Sequence, residues 1–169
     1  MSEESKPRVE IIHRPNTLRE KVGGSADGKP GRIDPVALSR ASLHVSRLAE
    51  AHKTQTRIDL TELQAAFQAA MAAPDQRAAH LRRVFKISDG ILTLGKTFGY
   101  DLLSDVANAL NHLLIDLEAP TAAQLQVVAL HIDAMQLIVR DDMKGDGGNT
   151  GQALAQSLAL AREKVGGRR

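Results

Sequence analysis

Two proline breaks, Ala73-Pro74 and Ala119-Pro120, divide the sequence into stretches whose apolar residues return every three or four positions. That spacing lines them up on one side of a helix. No run of four or more residues alternates apolar and polar as a strand would, so the chain has to build its core from helices alone. The first helix starts at Asp34-Pro35, a carboxylate at the N-cap and a proline at the first helical position. Its apolar residues fall at 38, 41, 45, 48 and 49, then at 58, 60, 63, 67, 70 and 71. The polar run HKTQTR (52–57) allows one long helix or two joined by a kink. After Pro74, with Asp75 as its cap, a second helix carries Leu81, Val84, Phe85, Ile87, Ile91, Leu92 and Leu94. A third begins near Asp101 and carries Leu102, Leu103, Val106, Leu110, Leu113, Leu114 and Leu117. Thr121 caps a fourth with Leu125, Val128, Ile132, Met135, Val139 and Met143. KGDGGNTG (144–151) reads as a turn, and a last, short helix runs from about 150 to 164 with Leu154, Leu158 and Val165 beside it. Amphipathic helices joined this closely predict an all-α bundle.

Residues 1–33 hold Pro7, Pro15, Pro30 and four glycines, and read as an extended or disordered arm. Within it, EIIHRPNTLREKV has enough apolar content to dock on a surface. The bundle is expected over 34–165, with a basic tail at 166–169. Composition then removes function classes. There is no cysteine, which excludes disulfides and thiolate metal sites and suits a reducing, cytoplasmic setting. The first 30 residues lack an apolar run of signal type, and the apolar stretches read as too short to cross a bilayer, so no membrane association is expected. A formal charge of +2 with its basic residues dispersed, and only Phe67, Phe85, Phe98 and Tyr100 as aromatics, argue against a nucleic-acid partner. The six histidines form no i, i+4 pair and neighbour no carboxylate cluster, so no zinc site is expected, nor any other metal or cofactor. His131, next to core-facing Ile132, reads as a flanking or helix-packing residue, and His52 as part of a polar patch. Asp141, Asp142 and Asp146 miss the spacing of a calcium loop and read as a helix end and glycine turn. Asp101, Asp105 and Asp116 read as a solvated face. No Ser-His-Asp order or glycine-flanked nucleophile supports a hydrolase.

GILTLGKT (90–97) matches the phosphate-binding pattern G-x-x-x-x-G-K-[ST] at each fixed position. Such a loop needs a buried strand before it. Here HLRRVFKISD precedes it with helical patterning and four basic side chains, ILTL is apolar enough to pack, and no later strand ends in a Mg²⁺-holding acid. A nucleotide site is therefore not expected.

Read from two residues before it to six residues after it, the stretch becomes SDGILTLGKTFGYDLL. It resembles the central motif A-H-D-I-K-G-Q-G-G-T-F-G-Y of the histidine phosphotransfer (HPt) proteins of alphaproteobacteria. RPNTLREKVGG followed by IDPVALSRA is similar to that group's N-terminus, and HIDAMQLIVRDDMKGDGGNTGQAL to its last two helices. The resemblance covers most of the chain. It implies an HPt-like four-helix bundle with an N-terminal arm and a short C-terminal helix.

Aligned on TFGY, the chain departs from the motif at its chemical centre. Asp89 stands where the family has its phosphoacceptor His, and the family's Asp, Ile, Lys and Gly fall on Gly90, Ile91, Leu92 and Thr93. Gly95 is kept, Lys96 replaces a Gly, and Thr97, Phe98, Gly99 and Tyr100 are kept. In the family an exposed imidazole attacks the aspartyl phosphate of a receiver domain, the basic residue steadies the phosphoryl oxygens and the small glycine permits close approach. A carboxylate is a poor nucleophile toward an acyl phosphate and repels its oxygens, Leu92 offers no cation, and Thr93 adds bulk. His80 is no substitute, lying about 13 Å along the helix and half a turn round from Asp89. The resemblance therefore implies a module without a catalytic residue. It would bind a response-regulator receiver domain, or another two-component partner, through Lys86, Asp89, Leu92, Thr93 and Lys96. Leu92 either caps the core or serves as an exposed anchor. Three alternatives stay open: a relay intermediate with a non-aligned acceptor, an adaptor in motility or cell-cycle assemblies, or a face that is only solvated surface while the arm does the work.

Overall fold

The computed structural model describes residues 34–115, 117 and 119–165. The expectations for residues 1–33 and 166–169, and the reading of Asp116, lie outside these. The chain divides into two compact units, Met1–Ser46 and Arg47–Arg169. All regular structure among the described residues is helical: α1 (Pro35–Ala72), α2 (Arg77–Gly95), α3 (Asp101–Ile115), α4 (Ala122–Arg140) and α5 (Gly148–Val165), with 3₁₀ turns at Pro74–Gln76 and Lys96–Phe98. The all-α expectation holds.

The described part of the first unit is the start of α1. Asp34 caps it, its Oδ1 accepting from Val36 N at 2.9 Å. The apolar residues expected to face a core here do not: Leu38, Ala41 and Val45 are exposed, as is Leu48 further on. α1 is one helix, not two. Within HKTQTR the Thr54 and Thr56 hydroxyls donate to the carbonyls of Glu50 and His52 at 3.0 and 2.9 Å, so both are satisfied without breaking the helix.

In the second unit, Leu60, Leu63, Phe67 and Ala70 of α1 meet a core built from Leu81, Val84 and Ile91 of α2, Leu103, Val106 and Leu110 of α3, Val128, Ile132, Met135 and Ile138 of α4, and Leu158 of α5. α2 and α3 lie closest together, α4 packs on α3, and α5 on α4. Ile58, Met71 and Leu94, counted as core by their apolarity, stand exposed. For Leu94 the reason is visible in α2, whose buried face runs Leu81, Val84, Ser88, Ile91, Gly95 and so includes two residues that an apolar count passes over. Ser88 is fully buried and donates to Ala107 O at 3.3 Å.

Thr121 caps α4 in a reciprocal box with Gln124, as expected. Asp75 does not cap α2. It sits in the intervening 3₁₀ turn, Gln76 takes the N-cap without a side-chain bond, and Arg77 Nε ties the helix start to Ala70 O at 3.1 Å. α5 is not short: at 18 residues it nearly equals α2 and α4, starting early because Asp146 accepts from Gly148 N at 2.9 Å. The 19 residues of α4 are long and apolar enough, by length and composition alone, to cross a membrane, but half of that apolar stretch is buried inside the fold. Its apolar positions are the ones that line the core. His131 is fully buried inside α4, which fits the helix-packing alternative and not the flanking one. Burial pushes its pKa down; Nδ1–H donates to Val127 O at 2.7 Å, while Nε2 has no partner among the described residues.

Candidate functional site

Gly90 to Gly95 lie inside α2, and Lys96 and Thr97 in the 3₁₀ turn after it. Amides within a helix are spent on carbonyls one turn back and cannot converge on a phosphate. The GILTLGKT match therefore forms no nucleotide cradle.

What the stretch does form is two contrasting halves. In the first, Lys86, Asp89, Gly90 and Thr93 stand exposed on α2. Asp89 is in the helix body, two turns from its end. Across the α2/α3 seam lies Asn111, only 5% exposed, whose amide nitrogen donates to Asp89 Oδ1 at 3.5 Å. The Asn111 Oδ1 has no partner among the described residues. Thr93 is anchored by its hydroxyl to the Asp89 carbonyl at 2.8 Å. A Cβ built on Gly90 would meet nothing within 4 Å, so solvent reaches the backbone beside the carboxylate. Leu92 resolves toward the core: it is half-buried and packs against it, and its carbonyl accepts from buried Ser104 at 3.1 Å. Lys96 lies past the helix end, paired with Asp105 at 3.0 Å, both side chains more than 60% exposed. Such a pair adds little stability. The structure thus brings Lys86, Asp89 and Thr93 onto one exposed face with Asn111 beneath. It sets Leu92 inward and Lys96 beyond the end.

One turn back along the same seam, a groove of about 470 Å³ opens between Phe85 and Leu81 on α2 and Leu114 and Ile115 on α3, with Leu117 beside them. Asn111 and this groove were missed in the sequence. The available signal was the spacing Ser104, Ala107, Asn111, Leu114, a buried stripe of α3 in which two members are polar.

The second half, Gly95 to Tyr100, is a helix stop. Tyr100 N donates to Gly95 O at 2.9 Å and Gly99 N to Lys96 O at 3.2 Å, with Gly99 at φ 76°. This is a Schellman cap, and its left-handed residue favours glycine. Gly145 N donates to Gly99 O, and Leu102 N to Gly145 O, tying this stop to the α4–α5 turn. Phe98 stacks on His52 with ring centroids 4.2 Å apart, so His52 is not the polar-patch residue expected; burial holds its pKa down. Tyr100 is buried and its hydroxyl donates to Asp142, which Lys53 also pairs at 2.8 Å. Lys53 and then Tyr100 hold the Asp142 carboxyl below its ordinary range, while burial, followed by Asp142, raises the Tyr100 hydroxyl. Lys144 Nζ lies 3.4 Å from the Tyr100 ring centroid. Asp141 pairs with Arg140 at 2.8 Å and Asp146 caps α5, so the three acids of this turn are used singly. Among the described residues no group of three His, Cys, Asp or Glu is placed to hold a metal.

Comparison of the chain with protein-family models, with curated proteins and with solved structures finds no match.

Proposed function

We propose that the chain is a non-catalytic counterpart of the HPt proteins: a helical signalling module that docks a receiver domain, or another two-component partner, without carrying phosphate. The observation that carries this reading is the exposed carboxylate of Asp89 in the body of α2, at the position of the family's nucleophile, with open backbone at Gly90 beside it. A carboxylate there repels phosphoryl oxygens and has no cation at Leu92 to offset them. The groove beside Phe85 and Ile115 supplies the apolar contact area that a protein partner needs next to a polar centre. The interface would centre on Lys86, Asp89 and Thr93, with Lys96 at its rim and Leu92 shaping it from below.

Calorimetric titration with the receiver domains of the host tests this. One of them is expected to bind the full chain, and Asp89→Arg to weaken that binding at least tenfold, about 1.4 kcal/mol. Incubation with the same receiver carrying labelled phosphate should leave the chain unlabelled, and Asp89→His alone should not restore transfer, because Leu92 and Thr93 remain. Acid-labile, base-stable label on the wild-type chain would overturn the proposal, as would a failure of every receiver to bind.

A further inference from the structure

α4 is buried on two sides. Leu125, Val128, Ile132, Met135 and Val139 line the common core, and Val127, His131, Ala134 and Ile138 form a second buried stripe about 110° round the helix. α5 packs on α4, and its Arg162 comes near enough to His131 for the guanidinium charge to act on the ring. His131 is fully buried, and the exposed face of α2 makes no use of it.

We propose that His131 is an acid-operated release for α5: a proton taken up by this buried ring loosens α5 from α4 while α2 and α3 stay packed. Nδ1–H already donates to Val127 O at 2.7 Å. A second proton must therefore go on Nε2, which has no partner among the described residues. The cation so formed is buried without an acceptor, a costly state. Among the described residues Arg162 is the charged side chain that acts on the ring, and it repels that cation. Asp105 of α3 lines a gap with Arg162 but is paired with Lys96 at 3.0 Å. Relief comes where the bundle is held least. α4 buries nine of its residues, but α5 buries only Gly151 and Leu158. Toward its C-terminal half a gap of about 100 Å³ is lined by Ala155, Ala159 and Arg162 of α5 and by Val106 and Ala109 of α3. Contacts that would hold α5 are unmade there. The release does not rest on the receiver-binding reading.

While α5 is docked, burial, opposed by the Val127 bond and joined by Arg162, holds the ring's pKa below its ordinary 6.5. Once α5 opens and water reaches the ring, it titrates near that ordinary value. Above it neither form binds the proton, and opening is independent of pH. Below it the open form binds the proton first, and opening becomes easier by up to about tenfold per pH unit until the docked ring titrates as well.

Hydrogen exchange of the full chain, read as protection factors between about pH 7.5 and about pH 5, tests it. Amides of α5 should lose about tenfold in protection toward the acid end while those of α2 and α3 keep theirs. Asp146, which caps α5, is held below the ordinary carboxylate range by the Gly148 amide, so it stays charged throughout. His131→Leu fills the site without a titrating ring and strands no carbonyl, since Val127 O keeps its helix bond. Its α5 protection should not vary with pH. Should that variant fail to fold, Arg162→Gln, at a half-buried position, should shrink the acid loss, because the docked form then takes the proton more readily. Protection of α5 that holds to the acid end, an equal loss in α2 and α3, or a wild-type acid loss in either variant overturns the proposal.

Discussion

Residues 86–93 and 95–100 are neighbours in one stretch of chain, but they are held in opposite ways. The earlier segment is tied down on its inner side, where Ser88 donates to Ala107 O and Leu92 O accepts from Ser104, but it presents Lys86, Asp89, Gly90 and Thr93 to solvent, and among the described residues these four reach across the seam through the 3.5 Å contact from Asn111 to Asp89. The later segment is bound at almost every residue: Gly95 against Ser104, Phe98 on His52, Gly99 in its left-handed cap, Tyr100 buried on Asp142. The half whose residues match the motif it resembles is the half that folding explains by itself. Glycine and tyrosine at the stop are required by cap geometry and by burial whatever the face above them does. TFGY therefore speaks for the fold, and any statement about chemistry has to be carried by Asp89 and its surroundings.

The largest effect expected from this contrast is at Gly95. A Cβ there would sit 2.3 Å from the Ser104 hydroxyl oxygen and 3.2 Å from the Tyr100 carbonyl. Ser104 is fully buried and bonded to Leu92 O, so it has little room to yield. Gly95→Ala should destabilise the fold by about 3 kcal/mol through overpacking of the α2/α3 seam, measured by urea denaturation. A loss below about 0.5 kcal/mol, the range of ordinary surface changes, would mean that the later segment is no more constrained than the earlier one.

Tyr100→Phe is expected to cost less, about 1 kcal/mol, because the ring stays packed and only the hydroxyl bond goes. Asp142 keeps Lys53 and remains solvated, with its side chain 47% exposed, so no buried charge is stranded. The Asp142 carboxyl should also titrate higher once one of its two hydrogen-bond donors is gone, which NMR titration reads directly. An unchanged titration would show that Lys53 alone sets that carboxyl.

The same contrast explains what could be read in the sequence. Most helices and most boundaries were legible because periodicity, Asp34-Pro35 and Thr121-x-x-Gln124 are local signals whose physics is complete within one turn, while the polar run 52–57 left one helix or two open. The α2/α3 seam was not, since Ser88, Gly95 and Ser104 are polar or small and enter the core only because another helix supplies their partners. His52 on Phe98 and Tyr100 on Asp142 were missed for the same reason, joining residues more than 40 positions apart. Helical projection put Lys86, Asp89 and Thr93 on one side of α2, and all three are exposed there. It left Leu92 undecided, and only packing against the core settles that.

The smallest expected effect is the most informative about the face itself. Gly90 lies in mid-helix, has no left-handed φ, and has open space where a side chain would go. A glycine in such a place costs about 0.5–1 kcal/mol relative to alanine, and nothing in the packing asks for it. Gly90→Ala should therefore stabilise the chain by that amount, the reverse sign of Gly95→Ala five residues on, in the same urea measurement. If the bare backbone exists so that a partner can approach Asp89 closely, the added methyl group should at the same time weaken receiver binding severalfold. A stabilised variant that binds as tightly as wild type would show that the gap beside Asp89 serves no docking. Stability and binding moving in opposite directions at this one residue would tie the openness of the earlier segment to contact with a partner.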